Sequence, residues 1–317
     1  MKSNISNPRL PLIYAKLVLT AVFWGGTFIA GRQVSQHLDP FSIAFLRFAT
    51  ASVFLLALMW IQEGRFVLPA RDQFLPIFLL GMTGIFTYNV LFFKGLHLIE
   101  AGRASLIIAI SPAFITLGSA LFFQERLGLT RIVGIPLSIL GAAIVISKGQ
   151  WRQIAGGGIG WGELSILGCV LSWTAYSLIG KVVVRRLSPL VSVAYSAVVG
   201  AAALLVPALV NGLAASLARI SLMDWTSIFY LAVFGTVLGF VWFYQGVKAV
   251  GPTRAGLFIN FVPVSAVILA FLLLGEQITW SLALGAALVL SGVYLTNRAP
   301  RTVTASTATT AGDGRRC

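Results

Sequence analysis

Apolar residues run along this chain in ten stretches, each about twenty residues long, the length a helix needs to cross a hydrocarbon core of roughly 30 Å. They centre near Val22, Ala51, Gly84, Ala113, Leu140, Leu171, Ala201, Gly235, Val267 and Val289. Polar or Pro/Gly-rich punctuation separates most of them, as at residues 37–40, 63–72 and 148–160. The pattern predicts an all-α integral membrane protein of ten transmembrane helices.

The pattern is also written twice. Residues 101–126 and 252–277 align without a gap at a spacing of 151, which sets Arg103 on Arg254, Pro112 on Pro263 and Glu125 on Glu276. Earlier in each half the spacing is 149, setting Trp24 on Trp173, Arg32 on Lys181 and Pro40 on Pro189. The chain therefore divides into a short N-terminus (1–11), a first repeat (12–147), a linker (148–160), a second repeat (161–297) and a Thr/Ala/Gly-rich tail (298–317) expected to be disordered. Five spans per repeat is an odd number, so the second repeat enters the membrane from the opposite side. Two inverted five-helix repeats with a site at their interface are the architecture of many secondary transporters.

Composition agrees, with 58% hydrophobic and 10% charged residues against the roughly 25% charged of a soluble domain. A net charge of +14 would suggest nucleic acid in a soluble protein, but here the basic residues sit in short loops and no nucleic-acid partner is expected. Of the 23 Lys and Arg residues, 16 lie on the side of the N-terminus and 6 on the other, with Arg47 inside a span. The excess predicts that both termini are cytoplasmic. Cys169, within a span, and Cys317, the last residue, offer neither a disulfide framework nor a metal site.

Each copy of the repeated stretch carries a mid-span proline, Pro112 or Pro263, expected to bend its helix beside a cavity. On a helical period Ser105, Ala109 and Pro112 share one face, and Gly256, Asn260 and Pro263 share its counterpart, so Ser105, Ala109 and Asn260 are candidate cavity residues. The bland alternative is that small residues allow close helix packing. Arg47, well inside the second span, is a candidate for a substrate carboxylate, or for a group that holds the fold through backbone carbonyls. Trp24 and Thr27, Tyr88 and Asn89, and Trp173 and Tyr176 complete the candidate substrate site, as aromatic faces and polar groups suited to an amphiphilic solute. Interfacial belts also gather Trp and Tyr, the better reading for Trp242 and Tyr244. Glu125 and Glu276 read as helix caps or loop partners.

There is no GxxxxGK[ST] loop for ATP and no carboxylate in mid-span, so neither ATP drive nor the usual proton relay is visible. An intramembrane enzyme would need a nucleophile, base or metal cluster at depth, and His37 and His97 both lie near span ends. No cofactor is expected.

The WGGTF at 24–28, the LRF at 46–48, the two proline spans ending in Glu125 and Glu276, and the glycine-bearing last span of each half carry a resemblance. Over residues 12–297 the chain resembles the drug/metabolite transporter superfamily, in its EamA branch of ten-span bacterial permeases. The resemblance implies an inner-membrane exporter of amino acids or related metabolites; a monomer and a homodimer are both open on the sequence. It further implies a central cavity lined by the first four helices of each half and a peripheral fifth and tenth helix. Aromatic or large neutral amino acids are the expected substrates, with a drug or vitamin permease as the alternative.

Overall fold

A computed structural model describes residues 10–125, 127–149 and 159–297. The described residues form ten apolar helical spans: α1 Leu10–Val34, α2 Pro40–Glu63, α3 Arg71–Leu98, α4 Ala101–Phe123, α5 Leu129–Ser147, α6 Trp161–Val183, α7 Pro189–Val210, α8 Leu222–Val250, α9 Arg254–Leu274 and α10 Trp280–Asn297. The chain is thus a ten-span, all-helical membrane protein built from two inverted repeats. Because successive spans alternate in direction, the start of α1 and the end of α10 share one face, the terminus face. The end of α5 and the start of α6 share the other, the linker face. Much of the N-terminus, the linker and the tail lies outside the described residues.

Local chemistry marks several of the ends. Asp39 caps α2 by accepting from Ser42 N–H at 3.0 Å, and its repeat mate Ser188 caps α7 by accepting from Val191 N–H at 3.3 Å. Each stands just before a proline, which suits the first helical turn because it has no N–H to orphan. Ser221 and Asp224 form a capping box at the start of α8. Both proline spans are interrupted: α4 breaks at Ala109–Ile110 and α9 at Asn260, a short way before Pro112 and Pro263. The proline ring leaves an upstream carbonyl without its helical donor, and the helix restarts with the proline in its first turn.

The halves interleave rather than sit side by side. Helix α1 packs on α8 and α9, α6 packs on α3 and α4, α2 on α7, and α5 on α10. The main core accordingly draws on both halves, with Phe28, Ile43, Phe92, Ile107, Ile166, Leu204 and Leu231 all buried. Large apolar side chains such as Leu121, Phe122, Val210 and Leu272 are left exposed on the outer surfaces of their helices. In a span this is the surface that meets lipid, where apolar exposure carries no penalty.

Candidate functional site

Two spans depart from α-helical geometry at matching places. Residues Gly81–Thr87 of α3 and Val233–Leu238 of α8 are π-helical, and Gly84 and Gly235, one repeat apart, lie inside them. A π segment is wider than an α turn and shifts its carbonyls off the usual donors; such segments concentrate at functional sites. Here the spare carbonyls are met by side chains. Asn89 donates its amide N–H groups to the carbonyls of Ile85 at 2.9 Å and Gly84 at 3.3 Å, and the Thr236 hydroxyl donates to Leu231 at 2.9 Å. Trp24 Nε1 donates to the Gly235 carbonyl at 3.0 Å, and Ser172 donates to Thr83 at 2.7 Å.

Arg47 joins the two π segments. Its Nη1 donates to Asn89 Oδ1 at 3.0 Å, while Nε and Nη2 donate to Thr236 Oγ1 at 3.3 and 3.2 Å. The residue is only 8% exposed, and among the described residues no acidic side chain pairs with it. One cation thus bridges the halves at membrane depth, held by neutral acceptors. Five N–H groups radiate from a guanidinium and three are engaged by these contacts. The repeat mate of Arg47 is Ser196, which is fully buried and donates to its own helix at Val193, so the arrangement has a single charged end.

An aromatic row runs beside this group. Tyr88, next to Asn89, lies 5.5 Å from Trp173, which stacks on Tyr176 at 5.1 Å; the Tyr176 ring packs over Gly84, where a Cβ would fall 2.1 Å from it. Trp24 contacts Phe240 and Phe243 at 5.7 and 5.4 Å, and the Thr27 methyl closes over Gly235. Arg47, Asn89, Tyr88, Trp24, Thr27, Trp173 and Tyr176 therefore gather around the two π segments.

Other candidate residues lie elsewhere. Ser105 is buried and spends its hydroxyl on the Gly102 carbonyl of its own helix at 2.7 Å. Ala109 packs toward a separate cluster made by Ile110, Val170 and Val289. Asn260 accepts from Asn297 at the end of α10 at 3.5 Å.

Thr236 was not singled out in the sequence. Its signal is faint, a small residue beside a repeat-matched glycine, and its partner Arg47 is 189 positions away.

Each face also carries a hollow. On the terminus face a cavity of about 500 Å³ is lined by Pro189, Leu190, Val241, Gln245 and Lys248. On the linker face one of about 650 Å³ is lined by their repeat mates Pro40, Phe41, Val90, Lys94 and His97. The first also reaches Leu55, Val193 and Phe240, residues farther along their helices; Phe240 touches Trp24.

Comparison with known proteins follows the same division. A model of the EamA-like transporter family matches residues 11–147 and again 160–298. The chain is 31% identical to "Uncharacterized transporter YyaM" of Bacillus subtilis, covering 89% of this chain and 92% of the relative. It is 32% identical to "Probable terminal-alkyne amino-acid exporter" of Streptantibioticus cattleyicolor, covering 89% and 92%. A crystal structure at 19% identity superposes with a TM-score of 0.61 over 88% of this chain and 95% of the other, and shows the same fold. Because the family match falls once on each half, the duplication legible in the residues is the family's own, and the chain belongs to the EamA-like transporter family.

Proposed function

We propose that this transporter exports amino acids, aromatic or large neutral ones first, across a bacterial inner membrane by alternating access, and that it is not an enzyme. The observation that carries the reading is Arg47: a buried guanidinium with N–H groups to spare and no acidic partner among the described residues. A carboxylate is the complementary group, since charge-assisted bonds to a guanidinium are roughly twice as strong as neutral ones. The rings of Tyr88, Trp173 and Tyr176 offer apolar faces to the side chain and π faces to an ammonium group. A relative named as an amino-acid exporter supports the class, and interleaved inverted repeats with a hollow on each face support the mechanism. Trp24, Thr27 and Asn89 are assigned to the same site. Ser105, Ala109 and Asn260, held by other contacts, are not.

The test is efflux from proteoliposomes loaded with a panel of labelled amino acids, with and without an imposed pH gradient. Selective release of Phe, Trp or Tyr is the expected result, and its response to the gradient decides coupling. Release of a drug or vitamin panel with no amino acid moving overturns the substrate class. The charge asymmetry makes the terminus face cytoplasmic. Reporter fusions after Thr130 and Arg298 should therefore report cytoplasm and one at Gln153 periplasm; a cytoplasmic signal at Gln153 overturns the orientation.

A further inference from the structure

Two carboxylates one repeat apart are engaged in different ways. Glu276, just past the end of α9 on the linker face, accepts from Ala101 N–H through Oε1 at 2.7 Å and from Gly102 N–H through Oε2 at 2.9 Å. These are orphan donors in the first turn of α4, where a negative charge also meets the positive end of the helix dipole. Next to them Arg103 pairs with Glu163 at the start of α6 at 2.9 Å, the side chains being 7% and 12% exposed. The same Arg103 nitrogen reaches the carbonyls of Val145 and Ile146 near the end of α5, at 3.3 and 3.1 Å. The linker-face ends of α4, α5, α6 and α9 are thereby tied together in a buried cluster.

On the terminus face the mate of Glu276 is Glu125. It accepts from Lys181 at the end of α6, and the two side chains are 41% and 37% exposed. The hydrogen bond from Lys181 holds the Glu125 carboxyl below its ordinary value, so the pair persists through neutral pH and is lost only as pH falls into the acid range. Lys181 has Arg32 as its own mate, and Arg32 donates to the carbonyls of Leu96 and His97.

We infer that Glu276 and Glu125 are alternating latches of the transport step. In the arrangement described, Glu276 ties the linker-face end of α9 to the start of α4. In the opposite arrangement Glu125 leaves Lys181 for the N–H of Thr253, the mate of Gly102, at the start of α9, while Glu276 is released to Arg32. The inference rests on alternating access: when inverted repeats exchange conformations, a contact on one face has its image on the other. The two latches are unequal. Ala101 offers an N–H, but its mate Pro252 has none, so the terminus-face latch has one donor where the linker-face latch has two. The linker-face-closed arrangement is therefore the more populated one.

Cross-linking in proteoliposomes tests this, in a Cys169→Ser, Cys317→Ser background. The first cysteine pair is Gly102→Cys with Val267→Cys; a Cβ at Gly102 stands 3.6 Å from Val267 Cγ2 and 3.8 Å from its Cα, within disulfide reach. The second pair is the repeat image, Thr116→Cys with Thr253→Cys. Rates of disulfide formation, read by mass spectrometry, report the two closed states. Glu276→Gln, whose amide can accept from one N–H but not both, should slow the first pair about tenfold and speed the second, as expected for loss of a charged hydrogen bond. Glu125→Ala, which leaves the Thr253 N–H without an acceptor while losing only an exposed ion pair to Lys181, should do the reverse. The first pair's rate unchanged within about twofold in both variants, or shifted the same way in both, overturns the latch. Should Glu276→Gln fail to accumulate as folded protein, the sign of the Glu125→Ala effect decides alone. Alternating access fails separately, if transport survives full oxidation of the first pair.

Discussion

Arg47→Met is expected to lower transport at least about a hundredfold while leaving thermal stability unchanged or higher, because on the proposed reading it removes the charge-assisted bonds to a substrate carboxylate, and it removes a buried charge with them. Burying a cation without an acid costs several kcal/mol, and replacing buried charges by apolar groups of similar size is commonly neutral or stabilising by about 1–4 kcal/mol. The partners left behind do not suffer greatly. Asn89 still donates to Gly84 and Ile85, and Thr236 still donates to Leu231, so each loses a donor to an oxygen and keeps its own bonds to the π segment. An unmet acceptor is better tolerated than an orphan N–H. If Arg47 only held the two π segments together, the order reverses: the melting temperature falls by about 5 °C or more, and transport declines only in step with the amount of folded protein. Arg47→Lys separates the cases further. An ammonium is a point charge without the planar fork, so it cannot hold Asn89 and Thr236 while facing a substrate carboxylate bidentately. Partial transport with weakened apparent affinity is the expected outcome, measured by efflux beside a thermal melt of the same preparation.

The second large effect lies far from the site. Gly292→Val should unfold the pairing of α5 with α10, at a cost at or above the roughly 1–3 kcal/mol of ordinary overpacking. Gly134 and Gly141 on α5 face Gly292 and Gly285 on α10, seven residues apart on each helix, which is two turns on one face. A Cβ at Gly292 would stand 2.4 Å from Ser138 N and 2.6 Å from the Gly134 carbonyl oxygen, and one at Gly141 would stand 2.6 Å from Val289 N. All of these are backbone atoms of the partner helix, so no side-chain rotation relieves the clash. Small residues let helices approach this closely in lipid, where packing rather than water drives association. Gly256→Ala in α9 is the control, since nothing stands within 4 Å of its Cβ position. Thermal unfolding followed by size exclusion should show a large loss for Gly292→Val and none for Gly256→Ala. A Gly292→Val protein that melts within about 2 °C of the parent would remove the glycine contact from the account of this fold.

The pairing of α5 with α10 also shows where reading the chain ends and the folded molecule begins. Gly134, Gly141, Gly285 and Gly292 are visible in the sequence as repeat mates, but which helix each one meets is not. The same holds for Glu276: its place at the end of a proline span suggests a cap, yet the N-terminus it caps belongs to α4, in the other half. The π segments left no periodic trace, because a single extra residue per turn over six or seven positions is too short to disturb an apolar run. Thr236 stayed hidden with them.

What the sequence determined by itself was everything that depends on local polarity and on comparison of the chain with itself. The number of spans follows from the lengths of the apolar runs, and the inversion from an odd number of spans per repeat. Arg47 was legible as a candidate because a charge at membrane depth is costly whatever surrounds it, and Trp24, Asn89, Trp173 and Tyr176 because aromatic faces and a polar amide suit an amphiphilic solute. Only the tertiary structure decided which candidates meet. Ser105, Ala109 and Asn260 make their contacts elsewhere, with Gly102, the cluster around Ile110 and Asn297. Thr236 joins it because interleaved halves bring residues 189 positions apart into hydrogen-bond distance. Helical periodicity carries direction over a few turns; beyond a break, direction is set by what the helix packs against.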